Sequence, residues 1–169
     1  MDRVAIALGS NIGDRAAHLA FGAAGLSRLL TSLRISRWYE TEPVGVGPVG
    51  TGTAATATNA GHRFSGADRF LNGAAAGETT LSARELLDAL LALERERGRE
   101  RPFPGAPRTL DLDLVLFGDQ VLNEPELIVP HPRFRERRFV LEPLADIAPE
   151  MIDPVTGQTV GQLLNLVIG

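Results

Sequence analysis

Apolar positions along this chain alternate between two spacings, and the switches mark out its elements. Val4 to Leu8 is a short continuous apolar run closed by Gly9, as in a buried strand. Asp14 then stands where it can cap a helix running through Leu19, Leu26, Leu29, Leu30 and Leu33. Ile35 to Thr41 reads as a second strand, stopped by Pro43 and Gly45, and Phe70 to Gly77 as a third. Ser82 and Glu85 form a capping box ahead of a helix whose stripe is Leu86, Leu87, Leu90 and Leu93, ending near Gly98. From Pro107 to Gly118 the period returns to two. Leucines at 110, 112, 114 and 116 take one face of a strand, which leaves Asp111, Asp113, Val115 and Phe117 on the other. Gly118 and Asp119 suggest a hairpin into Val121 and Leu122, and Gln158 to Val167 a short closing helix.

The order is β-α-β-β-α-β with an extra hairpin and a C-terminal helix. It predicts an α+β fold of the ferredoxin-like kind, with helices packed on one face of an antiparallel sheet. A length of 169 residues fits one domain, 1–169. Residues 46–69, rich in Gly, Ala and Thr, show neither period. They read as a long inserted loop, either a binding lid or a disordered insertion.

Composition narrows the chemistry. A net charge of −4 and only 5% aromatic residues disfavour a nucleic-acid binder. No segment approaches the roughly 20 apolar residues that span a bilayer, and the N-terminal run lacks the pattern of a signal peptide, so the expected location is the cytoplasm. There is no cysteine, which excludes disulfides and thiolate chemistry. All 17 basic residues are arginine, so a P-loop lysine and a Schiff base are excluded as well. Phosphate must be held by guanidinium forks or backbone amides. Nine of those 17 arginines lie between Arg95 and Arg138, leaving room for a local anion site.

Asp111 and Asp113, two residues apart on one strand face, have Cα atoms roughly 7 Å apart. That spacing holds one divalent cation, or two bridged by phosphate oxygens. Taken alone, the pair is equally the pattern of a strand with one wet face. Three neighbours favour the metal: the apolar Val115 and Phe117 downstream on the same face, the rigid Pro107, and Arg108 at the strand's mouth. The run Glu94 to Arg101 is as ambiguous by itself, because cations are favoured at any helix C-terminus. Arg99 and Arg101 lie past Gly98, however, where a loop can present both to phosphate. His131, between Pro130 and Pro132, is held in a fixed direction, whereas His18 and His62 read as ordinary surface residues. Asn72, a lone amide in an apolar strand, needs a buried partner or a ligand.

Together, Ala7 to Asn11, Tyr39 to Pro43, Phe70 to Asn72, Gly98 to Arg101, Pro107 to Asp113 and Val129 to Phe139 resemble the 6-hydroxymethyl-7,8-dihydropterin pyrophosphokinases over essentially the whole chain. The resemblance implies transfer of the β,γ-diphosphate of ATP to the pterin's hydroxymethyl group, releasing AMP, in folate biosynthesis. It implies Asp111 and Asp113 as ligands of two magnesium ions, and Arg99, Arg101 and Arg108 as phosphate holders and catalytic groups. Glu94, His131 and Arg137 would be further ATP contacts. Thr41, Pro43, Gly45, Phe70, Asn72 and Phe139 would bind the pterin, the two phenylalanines as aromatic walls. The partners so implied are ATP and a reduced pterin, with neither nucleic acid nor membrane, and the protein acting as a monomer. The chain departs from the family in its longer loop after Gly45, in Pro104-Gly105 where many members carry Arg-Trp, and in Pro132 after His131. Two rivals stand beside this reading: an ordinary magnesium-dependent kinase, which would release ADP, and a catalytically silent ferredoxin-like binding module.

Overall fold

The computed structural model describes residues 1–41, 69–98 and 109–168. Its elements are β1 (Asp2–Ser10), α1 (Arg15–Leu29), β2 (Thr31–Ile35), β3 (Tyr39–Thr41), β4 (Phe70–Thr79), α2 (Ala83–Glu96), β5 (Asp111–Phe117), β6 (Leu122–Glu124), β7 (Leu127–Val129), α3 (Arg138–Ile147) and α4 (Val160–Ile168). The main sheet is antiparallel in the order β2-β4-β1-β5, and β3 continues beside β4. Counting β2 and β3 as one interrupted strand, this is the expected ferredoxin-like order, with the first and third core strands in the middle.

Local chemistry places the helices. The Asp14 carboxylate accepts from the Ala17 amide to open α1, and Ser82 and Glu85 exchange side-chain and backbone bonds to open α2. Past α2, Gly98 takes φ +83°, the left-handed conformation that ends a helix at little cost in glycine. The first helix stops four residues short of Leu33, because Leu30 is already extended and Thr31 to Ile35 pair with β4. Strand pairing wins there over an apolar spacing that fitted either element. The strand expected over Ile35–Thr41 is also split. The Ser36 amide donates to the Ala74 carbonyl and the Ala74 amide donates to Ser36 Oγ, both at 2.9 Å, while Trp38 lies against Gly73.

Both faces of the sheet are covered, not one. Val4, Ile6, Leu8, Ala75, Leu112 and Leu114 pack under α1 and α2. On the opposite face Ala5, Ala7, Ala74 and Ala76 present small side chains, on which α3 lays Val140, Leu141 and Leu144, with Leu163 of α4 beyond. The expected alternation of β5 fails at one residue. Ala5 pairs with Leu116 and Ile6 with Leu114, so Val115 is bulged and the faces swap beyond it. Phe117 therefore joins the core under α1 and α2, and Leu116 goes to the α3 side, against the expectation for both. The hairpin after Gly118 differs too, since β6 pairs with β7 instead of folding back on β5. Among the described residues no helix is long and apolar enough to cross a membrane.

The α3 layer is tied down at both ends. Asp153, fully buried, accepts from Arg135 Nε and Nη2 at 2.5 and 2.9 Å, from Thr156 Oγ1 at 2.7 Å and from the Val155 amide at 3.0 Å. Burial works to raise its pKa, but these bonds outweigh burial and hold the carboxyl below the usual carboxylate range. At the far end, Arg34 donates to the Ile147 carbonyl at 2.9 Å and the Tyr39 hydroxyl donates to Asp146.

Two outcomes follow from this packing. A Cβ added at Gly73 would lie 2.4 Å from the Trp38 ring, so Gly73→Ala is expected to lower stability by about 1–3 kcal/mol in a urea titration read by the chain's one tryptophan. A carboxyl depressed in the folded state contributes stability that is complete above its unfolded value of about 3.9 and is lost as pH falls further. The stability of the protein should therefore drop below about pH 4, and Asp153→Asn should flatten that acid limb in melts taken between about pH 2 and 6.

Candidate active site

Register brings the singled-out residues into rows. Gly9 on β1 pairs with Asn72 on one side and Asp111 on the other, and Ala7 pairs with Ala74 and Asp113. Asn72, Gly9 and Asp111 therefore cross three strands on the same sheet face, Asn72 and Asp111 roughly 10 Å apart at two strand spacings. The glycine keeps the row open: a Cβ on it would lie 3.2 Å from Asn72 Oδ1 and 3.7 Å from the Phe70 ring. Asn72 is buried, and its Nδ2 donates to Thr41 Oγ1 at 2.5 Å, which sets the direction of the amide. Phe70 sits opposite Thr41, so Thr41, Phe70 and Asn72 form one end of the row and the aspartates the other.

Both aspartates remain half-buried, and Leu112 between them is fixed from behind. Glu94, buried on α2, accepts the Leu112 amide on Oε2 at 2.7 Å. Beside this bond a pocket of roughly 290 Å³ opens between α2, β5 and β7, lined by Leu87, Glu94, Leu112, Asp113, Ile128 and His131 among others. His131 is seated by its own amide, which donates to the carbonyl of the bulged Val115 at 2.9 Å. Its Nδ1 accepts from the Arg133 amide at 3.1 Å. Burial, then the charges of Arg137 and Arg133, lower its pKa against the pull of Asp111. The ring is neutral at pH 7, with Nε2–H left as the donor. Arg137 caps the start of α3 with its guanidinium carbon 5.5 Å from the centre of the Phe139 ring.

Thr41, Phe70, Asn72, Glu94, Asp111, Asp113, His131, Arg137 and Phe139 are thus all placed. Pro43, Gly45, Arg99, Arg101, Arg108 and the expected loop 46–69, apart from Arg69, lie outside the described residues. Two residues passed over in the sequence prove to be engaged. Arg97 Nε donates to His18 Nδ1 at 2.8 Å, a bond between residues 79 apart that no local pattern announces.

An open row with paired carboxylates at one end and a fixed amide at the other suits a divalent cation with phosphate oxygens beside a flat polar heterocycle. The donor set fits magnesium, which keeps much of its water and takes one or two carboxylates plus phosphate oxygens.

Comparison with known proteins identifies a family. The profile of the family described as 7,8-dihydro-6-hydroxymethylpterin-pyrophosphokinase (HPPK) matches residues 5–149. The 2-amino-4-hydroxy-6-hydroxymethyldihydropteridine pyrophosphokinase of Pseudomonas aeruginosa is 39% identical over 153 residues, covering 89% of this chain and 83% of that protein. The protein of the same name from Bacillus subtilis is 38% identical over 159 residues, covering 93% and 84%. Among solved structures, wild-type Plasmodium falciparum HPPK-DHPS superposes with a TM-score of 0.66 at 14% identity, over 98% of this chain and 41% of that one.

Removing the Glu94 carboxylate should release the strand between the aspartates. Glu94→Ala is expected to cost about 1–3 kcal/mol in urea unfolding, and Glu94→Gln, whose amide oxygen can still accept from Leu112, distinctly less.

Proposed function

The chain belongs to the 7,8-dihydro-6-hydroxymethylpterin-pyrophosphokinase family, and we propose that the row from Asn72 to Asp113 is where it transfers the β,γ-diphosphate of ATP to 6-hydroxymethyl-7,8-dihydropterin in folate biosynthesis. The observation that carries the siting is the shared face of Asn72, Gly9, Asp111 and Asp113. A pterin read by Asn72 at one end of a row roughly 10 Å long sets its hydroxymethyl group toward phosphate held at the other. In the transfer, the hydroxymethyl oxygen forms a bond to the β-phosphorus and the bond from that phosphorus to the α,β-bridging oxygen breaks. AMP leaves with the bridging oxygen, and the hydroxyl proton passes to solvent.

Asp111 and Asp113 would hold magnesium, two ions in this reading, which when bound neutralises phosphate charge and polarises the reacting oxygens. The chain's own groups do the rest by position. The neutral His131 offers Nε2–H toward the nucleotide, and the pocket beside Asp113, with Leu87 and Ile128 on its walls, takes the flat base. Thr41 keeps the Asn72 amide turned to the pterin edge, with Phe70 and Phe139 as the apolar walls beside the ring. Arg99, Arg101, Arg108 and Arg137 would neutralise charge as it moves onto the departing AMP, and Pro43 and Gly45 would add backbone contacts to the pterin. We read residues 1–169 as one domain working as a cytoplasmic monomer on small molecules alone. The net charge of −4 supports the exclusion of nucleic acid.

Incubation with Mg-ATP and the reduced hydroxymethylpterin, followed by nucleotide separation, is expected to yield AMP in step with pterin diphosphate; ADP would overturn diphosphate transfer. Asp113→Ala should lower kcat by at least ~10²-fold, because a metal site contributes several kcal/mol to the transition state. Near-normal turnover would remove the aspartates from the reaction.

A further inference from the structure

Arg97 has no part in the site as described so far, yet it joins three of the elements that build it. It caps the C-terminus of α2, immediately before Gly98. Its side chain turns back onto α1, where Nε donates to His18 Nδ1 at 2.8 Å and the guanidinium carbon lies 5.0 Å from the centre of the Phe21 ring. Its carbonyl accepts the Thr109 hydroxyl at 3.0 Å, two residues before Asp111. The apolar packing beneath repeats the same three-way join. Leu93 of α2 fills the space beside Gly25 of α1, and Leu110, at the entry to β5, fills the space beside Gly22. Helix α1 is thus the common seat of the end of α2 and the beginning of β5.

The polar part of this join is unusual for an arginine near the surface, which ordinarily meets a carboxylate or water. A bond to one imidazole nitrogen, with the guanidinium over a ring one turn further along, fixes direction more than it adds energy. It also requires His18 to be neutral. Burial and the nearby Arg97 lower the His18 pKa, opposed only in part by Asp14.

We propose that Arg97, with His18 and Thr109, is a positioning residue for the diphosphate transfer, holding the chain that leaves α2 and the chain that enters β5 at one spacing so that Asp111 reaches the sheet face at a set depth. Magnitudes separate this role from simple stabilisation. Each of these neutral or singly charged hydrogen bonds supplies only a minor share of the net stability that keeps a domain folded. A misplacement of about 1 Å at a reacting centre costs on the order of a hundredfold in rate. Loss of the tie should therefore register in turnover well before it registers in folding.

The inference rests on the placement of ATP and its cation at the aspartates, and the experiment separates the two. AMP release would be followed for wild type, Arg97→Ala, His18→Gln, Thr109→Val and Thr109→Ser, with kcat and both KM values resolved and a thermal melt for each. AMP release from Mg-ATP and the reduced pterin by wild type, lost in Asp113→Ala, supports the site reading; turnover that Asp113→Ala leaves near normal overturns that reading and the tie with it. Given an active wild type, Arg97→Ala and Thr109→Val are expected to lower kcat about tenfold or more. The pterin KM should stay within about twofold, because Asn72 and Thr41 lie on the other strands. Thr109→Ser keeps the hydroxyl and His18→Gln offers an amide oxygen to Arg97 Nε, so both should recover most of the turnover. Thr109→Val removes a single hydroxyl and keeps the test open if Arg97→Ala folds poorly. Wild-type kinetics in Thr109→Val, a Thr109→Ser as impaired as Thr109→Val, or losses that merely track the melting temperature would each overturn the proposal.

Discussion

The bond from the Leu112 amide to the buried Glu94 carboxylate is the constraint on which the candidate site depends. Strand β5 is an edge of the sheet, and an edge strand carries a row of backbone groups with no strand to pair with. Here two of them are committed. The Leu112 amide goes to α2 through Glu94, and the Val115 carbonyl, at the bulge, takes the His131 amide. With Leu112 pinned and its side chain under the helices, strand geometry forces Asp111 and Asp113 together onto the opposite face. A buried carboxylate is costly unless its oxygens are bonded. Glu94 thus has reason to hold that amide firmly, and the edge is stiff where its carboxylates must be accurate.

The same logic governs the face that the aspartates share. It is paved with Ala5, Ala7, Ala74 and Ala76, short enough for α3 to settle closely on the sheet, and it ends in Gly9, where a side chain would run into Asn72. A larger residue at these positions would lift α3 or close the row. The helix is then fixed from outside the sheet, by Arg135 on Asp153 at one end and by Tyr39 and Arg34 at the other. Tyr39 pairs with Asn72, and Thr41 holds the Asn72 amide, so the tether at the far end of α3 and the hold on that amide share one three-residue strand.

The parts of this arrangement visible in the sequence are those set by local rules. Alternation placed Asp111 and Asp113 on one face, and the Ser82 and Glu85 pattern located the start of α2. What stayed hidden depends on partners remote in the chain. The Val115 bulge is decided by the register of β1, and it sends Phe117 and Leu116 to the faces opposite those their parity predicted. Leucine spacing carries the predicted first helix on to Leu33, because it cannot report that Thr31, Arg34 and Ile35 pair with β4. Helix α3 was obscured by the arginines at its start and by Pro143 within it, although Val140, Leu141 and Leu144 make a sound apolar stripe. Glu94 stands out in the sequence only as an acid near the end of its helix, because its bond to Leu112 is a fact of tertiary packing.

The absence of lysine leaves arginine to supply the chain's long basic side chains, and the structure shows two ways in which they brace helices. Arg135 grips Asp153 with two nitrogens at once, and Arg97 combines one directed bond with a stacked ring. Neither geometry is open to an ammonium, which is a point charge on a flexible stem. The planar fork that suits phosphate oxygens is therefore equally suited to bracing helices. Arg97 is two residues from Arg99, and Arg135 two from Arg137. If Arg137 meets phosphate as proposed, bracing by Arg135 would fix the backbone from which it reaches, and its guanidinium would lose less conformational freedom on engaging.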